Sequence, residues 1–182
     1  MKAGQKILFT IWIIMIIGIL GVASRYLSFR LTGLLDTKPD DLLTNYLYLT
    51  GFYGHVMFGM LALLLGPTQF LPGIRTKAPG FHRWAGRLYV FACFWGGVAG
   101  LYIAFYATAG IIASLGFIGL AIFWLYTTFR AYISIRKKEI LDHQLWMIRS
   151  FALTMAAVTL RIYLGLMLTI GLDFFTAYPI VA

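Results

Sequence analysis

The sequence predicts an all-α fold: an integral membrane bundle of five transmembrane helices with a cytoplasmic N-terminus. Three observations carry that reading. Of 182 residues, 61% are hydrophobic and 12% charged, with a mean hydropathy of +0.85; in an ordinary soluble domain about a quarter are charged. Five apolar runs, at residues 7–23, 51–71, 85–108, 111–129 and 148–172, are long enough to span the hydrocarbon core. The basic residues also keep to alternate connections. Lys2, Lys6, Arg75, Lys77, Arg83, Arg87, Arg130, Arg136, Lys137, Lys138 and Arg149, eleven of the fifteen, fall on the N-terminal side. Arg25, Arg30 and Lys38 fall in the first connection, none in the third, and Arg161 inside a span. The positive-inside rule then puts the N-terminus in the cytoplasm of a multi-pass inner-membrane protein.

The length suits one transmembrane domain over residues 1–182, without internal repeats. The net charge of +9 would suggest nucleic acid in a soluble chain, but here it is explained by topology, and no nucleic-acid partner is expected. The single cysteine, Cys93, excludes an intrachain disulfide.

Taken in order, Lys2 and Lys6 precede the first run, read as a retained helix; a cleaved signal peptide ending at Gly21-Val22-Ala23 is its rival. Residues 24–50 form the longest polar connection. Within it Thr37-Lys38-Pro39-Asp40 reads as a helix start, with a threonine cap, an early proline and an acid. Pro72-Gly73 is expected to end the second span, and Ala109-Gly110 to join the third and fourth. The fourth is expected to end near Phe129, before a basic loop holding Arg130, Arg136, Lys137 and Lys138. Trp124, Tyr126, Tyr132 and Trp146 read as an interfacial aromatic belt.

Chemistry concentrates at the three histidines. His82 opens the third span, and Gly86, Tyr89, Cys93, Gly96 and Gly100 continue its helix face inward at steps of four and three. Small residues below an interfacial histidine leave a slot, for a neighbouring helix or for a flat ligand. His143 sits at the same cytoplasmic depth, opening the fifth span, whereas His55 lies near the outer end of the second. Two imidazoles on different helices at one depth can supply both axial ligands of a b-type haem. His82 and His143 are therefore the candidate iron ligands, with Gly86 and Gly96 flanking the cofactor. Met147, Ser150, Thr154 and Ala157 mark the face between His143 and Arg161. Arg161 costs roughly 2.5–3.5 kcal/mol near a helix centre. With His55 it is expected to form an outer pocket for a quinone oxygen, an anionic group or a water. His55, Gly59, Ala62, Gly66 and Gln69 form a stripe facing it. Arg75, Lys77, Arg83 and Arg87 could bind an anionic reductant, a haem propionate or anionic lipid.

His82-Arg83-Trp84-Ala85-Gly86 resembles the His-x-Trp-x-Gly of transmembrane ascorbate-type cytochromes b. In that family the third and fifth helices share one haem, and the second and fourth share another. The resemblance implies at most one haem here, on His82 and His143, because residues 110–129 contain no histidine. That family's sixth helix is also missing. Phe81 to Tyr89, His143 to Ser150, and Thr159-Leu160-Arg161 are more closely similar to a bacterial membrane-protein family, domain of unknown function 2306. That likeness implies the fold over roughly residues 50–170 and carries no activity.

Three functions remain open from sequence: a single-haem electron-transfer protein, a haem-free carrier or sensor for a small molecule or lipid, and an accessory subunit or homo-oligomer docking through its small-residue faces. A Walker-type glycine loop, a Cys-x-x-Cys pair, His-Glu-x-x-His and a nucleophile elbow are absent, so nothing supports a hydrolase.

Overall fold

The computed structural model describes residues 3–31 and 33–182. Lys2 lies outside them, as does the side chain of Lys6. The elements are α1 (Ala3–Ala23), α2 (Asp40–Leu43), α3 (Tyr46–Gln69), α4 (Pro72–Lys77), α5 (Pro79–Ala104), α6 (Ile111–Arg136), α7 (Ile140–Thr154), α8 (Ala156–Thr169) and α9 (Phe174–Val181). Two short 3₁₀ turns, Ser24–Ser28 and Gly33–Thr37, lie between α1 and α2. Among the described residues, five helices are long and apolar enough to cross a membrane: Phe9–Ser28, Tyr46–Gln69, Pro79–Ala104, Ile111–Arg136 and Ile140–Thr169.

The five spans stand, but their ends differ from those read off hydropathy. The second begins at Tyr46, where the Asn45 side chain accepts from the N–H groups of Leu47 (3.0 Å) and Tyr48 (3.2 Å). The cap position of α2 is Pro39, not Thr37, whose hydroxyl donates back to the Leu34 carbonyl at 2.8 Å. The span ends at Gln69, and Pro72 opens the short α4 instead of closing α3. The third span starts at Pro79 and ends at Ala104, short of residue 108. The fourth continues to Arg136, so Arg130 and Arg136 are helical and the fourth connection shrinks to Lys137-Lys138-Glu139.

The fifth span starts eight residues before residue 148 and is interrupted at Met155. There the N–H of Val158 donates to the Met155 carbonyl at 2.9 Å, a tightened turn between α7 and α8. A straight face from His143 to Arg161 is thereby broken. Ala157 is half-buried, Val158 takes the inward position and Arg161 is exposed. After α8 the chain reverses at Gly171 (φ +94°), and Asp173 caps α9 by accepting from the Thr176 N–H at 3.1 Å.

Helices α3, α5, α6 and α7 form a ring: α5 lies between α3 and α6, and α7 closes it by packing on α6 and α3. Thus α5 and α7 occupy opposite corners. Helix α1 packs outside, on α3 and α8, and α9 folds back against α8 and α6. The slot beside α5 is filled by a neighbouring helix. Along antiparallel α3, the His55 ring occupies the notch at Gly100, Phe58 covers Gly96, and the Gln69 carboxamide covers Gly86. A Cβ at Gly66 would lie 2.2 Å from the Phe151 ring, whereas one at Gly59 meets nothing within 4 Å. Gly66→Ala should therefore lower stability by about 1–3 kcal/mol, an overpacking cost, while Gly59→Ala is neutral. Thermal unfolding of the two variants in one detergent checks this.

Candidate functional site

His82 and His143 are each the third residue after their helix's first residue, Pro79 and Ile140. Starting at opposite corners of the ring, they reach the same end of the bundle. His82 and His143 are near enough there to interact electrostatically, and Arg75 and Arg83 are likewise within charge range of His82. The His143 Nδ1 lies 2.9 Å from the Ala131 carbonyl, an acceptor only, so Nδ1 carries the proton and Nε2 is left free. The His82 Nδ1 is buried and has no hydrogen-bond partner among the described residues.

One helical turn inside His82, Gly86 is covered by the Gln69 Oε1, which would stand 3.0 Å from an added Cβ. Gly96 does not flank open space. Phe58 and Trp124 would lie 3.2 and 3.4 Å from a Cβ there, so a flat ligand at that depth would have to displace both.

Between the histidine end and Gly96 lies a buried hydroxyl cluster. The Tyr89 hydroxyl sits 2.9 Å from the Thr154 Oγ1 and 3.1 Å from the Ser150 Oγ. Thr154 spends its own proton on the Ser150 carbonyl at 3.0 Å, so it accepts from Tyr89 and from the Trp124 Nε1–H at 2.9 Å. Thr128 donates to the Trp124 carbonyl at 2.8 Å, leaving Ser150 to donate to Thr128 at 2.7 Å. Every proton is placed, which makes the cluster a clasp between α5, α6 and α7. Cys93 is buried beside it.

Sequence reasoning put Tyr89, Ser150 and Thr154 on inward faces, but it missed Thr128 and sent Trp124 to the interface. The available signal was depth: Trp124 is midway along the 26-residue α6. The other belt residues do sit on the surface, where Trp146 lies beneath two guanidiniums, Arg130 at 4.8 Å and Arg149 at 4.4 Å.

The remaining candidates separate into two places. Arg75 and Lys77 end α4, and Arg83 and Arg87 are exposed on α5. Arg87 lies at one end of a groove of about 380 Å³ between α5 and α6, floored by Val90, Phe91, Phe94 and Leu125. At the opposite end of the bundle, His55 lies ~14 Å along α3 from Tyr46, and Arg161 ~12 Å from the end of α8. The two are therefore at similar depth, and the charge of Arg161 reaches His55. The His55 Nδ1 is 2.9 Å from the Gly96 carbonyl. Arg161 donates from Nη1 to the Ala157 carbonyl at 2.8 Å.

Over residues 52–182 the chain matches the family described as predicted membrane protein (DUF2306). The chain belongs to this family. The match begins inside α3 and so takes in all three histidines and Arg161, while α1 and the first connection lie before it. Neither a curated protein nor a solved structure matches the chain.

The clasp predicts a stability effect distinct from function. Tyr89→Phe keeps the ring but removes the proton held by Thr154, and should cost about 1–2 kcal/mol. The check is thermal unfolding beside the wild type, with the surface substitution Tyr163→Phe as a control.

Proposed function

We propose that this DUF2306 protein is a membrane electron-transfer protein that holds a single b-type haem between His82 and His143. The observation that supports the reading is that two first-turn histidines, from opposite corners of the ring, lie at one end of the bundle within electrostatic range of each other. One is already held in the tautomer that frees Nε2; the other keeps a buried ring nitrogen without a partner among the described residues. Ligating histidines are typically fixed in the first way, by a carbonyl on the second nitrogen. An unpaired buried polar atom costs about 1–3 kcal/mol, so a site that retains one calls for a ligand. The donor set therefore fits a haem whose macrocycle lies toward Gly86, where, among the described residues, only the Gln69 carboxamide comes within 4 Å of an added Cβ.

A bound haem would supply reversible one-electron transfer. The protein's own part is positional. Ala131 orients the His143 ring, and the hydroxyl clasp holds α5 and α7 at a fixed separation about two turns below the histidines. Arg75 and Arg83, the cations facing His82, would neutralise ring carboxylates and attract an anionic reductant. In the orientation that the basic residues predict, this end faces the cytoplasm.

Haem content per protein tests the assignment. His82→Ala and His143→Ala should each bring it to background, while His55→Ala leaves it unchanged. Retained haem in either of the first two variants overturns the ligand assignment.

A further inference from the structure

The groove of about 380 Å³ between α5 and α6 is walled by two helix faces. On α5 these are Arg87, Val90 and Phe94, and on α6 Leu125, Phe129 and Tyr132, each set at helical steps of three and four. The helices are antiparallel, so α5 starts and α6 ends at the histidine end. Arg87 lies ~12 Å along α5 from Pro79 and Phe94 ~22 Å, while Tyr132 lies ~6 Å from Arg136 and Leu125 ~16 Å. Both walls therefore run from polar to apolar in the same direction. At the deep end α6 comes close to α5, because Leu125 fills the notch at Gly97, 2.7 Å from where a Cβ would stand. Thr128 also lines the groove, but its hydroxyl is spent in the clasp.

The polar end carries two cations. Arg87 is exposed, and its long stem lets the guanidinium reach outward toward the level of the lipid headgroups. Arg136, one turn beyond Tyr132 on α6, holds its guanidinium 6.0 Å from the centre of the Tyr132 ring. The acids at this end of the bundle are Glu139 and Asp142, and the basic residues far outnumber them. Below the cations the rings of Phe91, Phe94 and Phe129 are each half or more exposed on the outside of the bundle. Arg130 belongs to a different face of α6, where it lies over Trp146 of α7 at 4.8 Å.

We propose that this groove binds one anionic phospholipid, with an acyl chain along Val90, Phe94 and Phe129 and the phosphate between Arg87 and Arg136. The order of the walls matches that of a lipid, with the charged head at the membrane surface and the chain below it. Basic pockets between membrane helices recognise anionic headgroups in this way, and a guanidinium fork suits phosphate oxygens. A neutral quinone would leave both guanidiniums without a counter-charge. A second helix is too thick for the groove. Over the ~10 Å from Arg87 to Phe94 the volume gives a cross-section of roughly 35 Å², less than half that of a helix about 10 Å across. The proposal is independent of the haem reading, because neither His82 nor His143 lines the groove and Gly86 faces Gln69 of α3.

The test uses the full chain, washed free of lipid in a maltoside detergent. It is mixed with equimolar phosphatidylglycerol and phosphatidylcholine of identical acyl chains and re-isolated by gel filtration, and each lipid is counted by mass spectrometry. The wild type should retain phosphatidylglycerol in clear preference to phosphatidylcholine. Arg87→Gln, which removes a charge-assisted hydrogen bond, should weaken that retention about tenfold, while Arg130→Gln, an equal loss of charge off the groove, leaves it unchanged. Excess glycerol phosphate, a headgroup without a chain, should not displace the lipid. Equal retention of the two lipids, an equal loss in Arg130→Gln, or displacement by glycerol phosphate overturns the proposal. So does a dimer that retains neither lipid, since a second copy would then cover the groove. If Arg87→Gln does not give a monodisperse protein, Arg136→Gln decides by the same measure, and unchanged retention overturns the site.

Discussion

The structure depends on one cluster, the hydroxyl clasp of Tyr89, Thr128, Ser150 and Thr154 with the Trp124 indole. In hydrocarbon an unmet hydroxyl has no water to turn to, so a clasp in which every proton is placed favours one register of α5, α6 and α7. Apolar packing alone specifies little between helices in lipid, because the tails are as apolar as the side chains. Small residues let the same helices approach: Gly96 and Gly100 take Phe58 and His55, and Gly66 takes the Phe151 ring. The clasp decides which close approach is made.

Its position divides the bundle into two chemically distinct ends. On one side lie His82 and His143, with Arg75 and Arg83 around them. On the other lie His55, Arg161 and the tyrosines carried in by α9 and the first connection. The clasp has no spare hydroxyl proton through which a ligand could bind, so both candidate sites lie outside it. The turn at Met155 sharpens the division. Beyond it α8 packs on α9 and α1, and α9 carries the buried Tyr178.

Much of this was legible in the sequence, and the misses have physical causes. Hydropathy found all five spans but clipped their ends, because Tyr46 to Thr50, Pro79 to Trp84 and Arg130 to Arg136 interleave tyrosines, polar or basic residues with apolar ones and are helical all the same. A membrane helix continues through the interface, where its composition no longer announces it. Asn45 before Tyr46 was a readable cap that the Thr37-Lys38-Pro39 signal obscured. The break at Met155 has no glycine or proline to mark it. That His82 and His143 lie at one end of the bundle was legible because each opens a helix, and distance from a helix end is a one-dimensional quantity. Trp124 and Tyr178 were missed because their partners come from other helices and from a re-entrant segment, which periodicity along one helix does not encode.

The most direct test of the central claim is the visible spectrum of the purified protein, expressed with a haem precursor and recorded oxidised and then dithionite-reduced. The account predicts a Soret band with sharp reduced α and β bands, the signature of iron held between two imidazoles. A featureless spectrum in both states contradicts it.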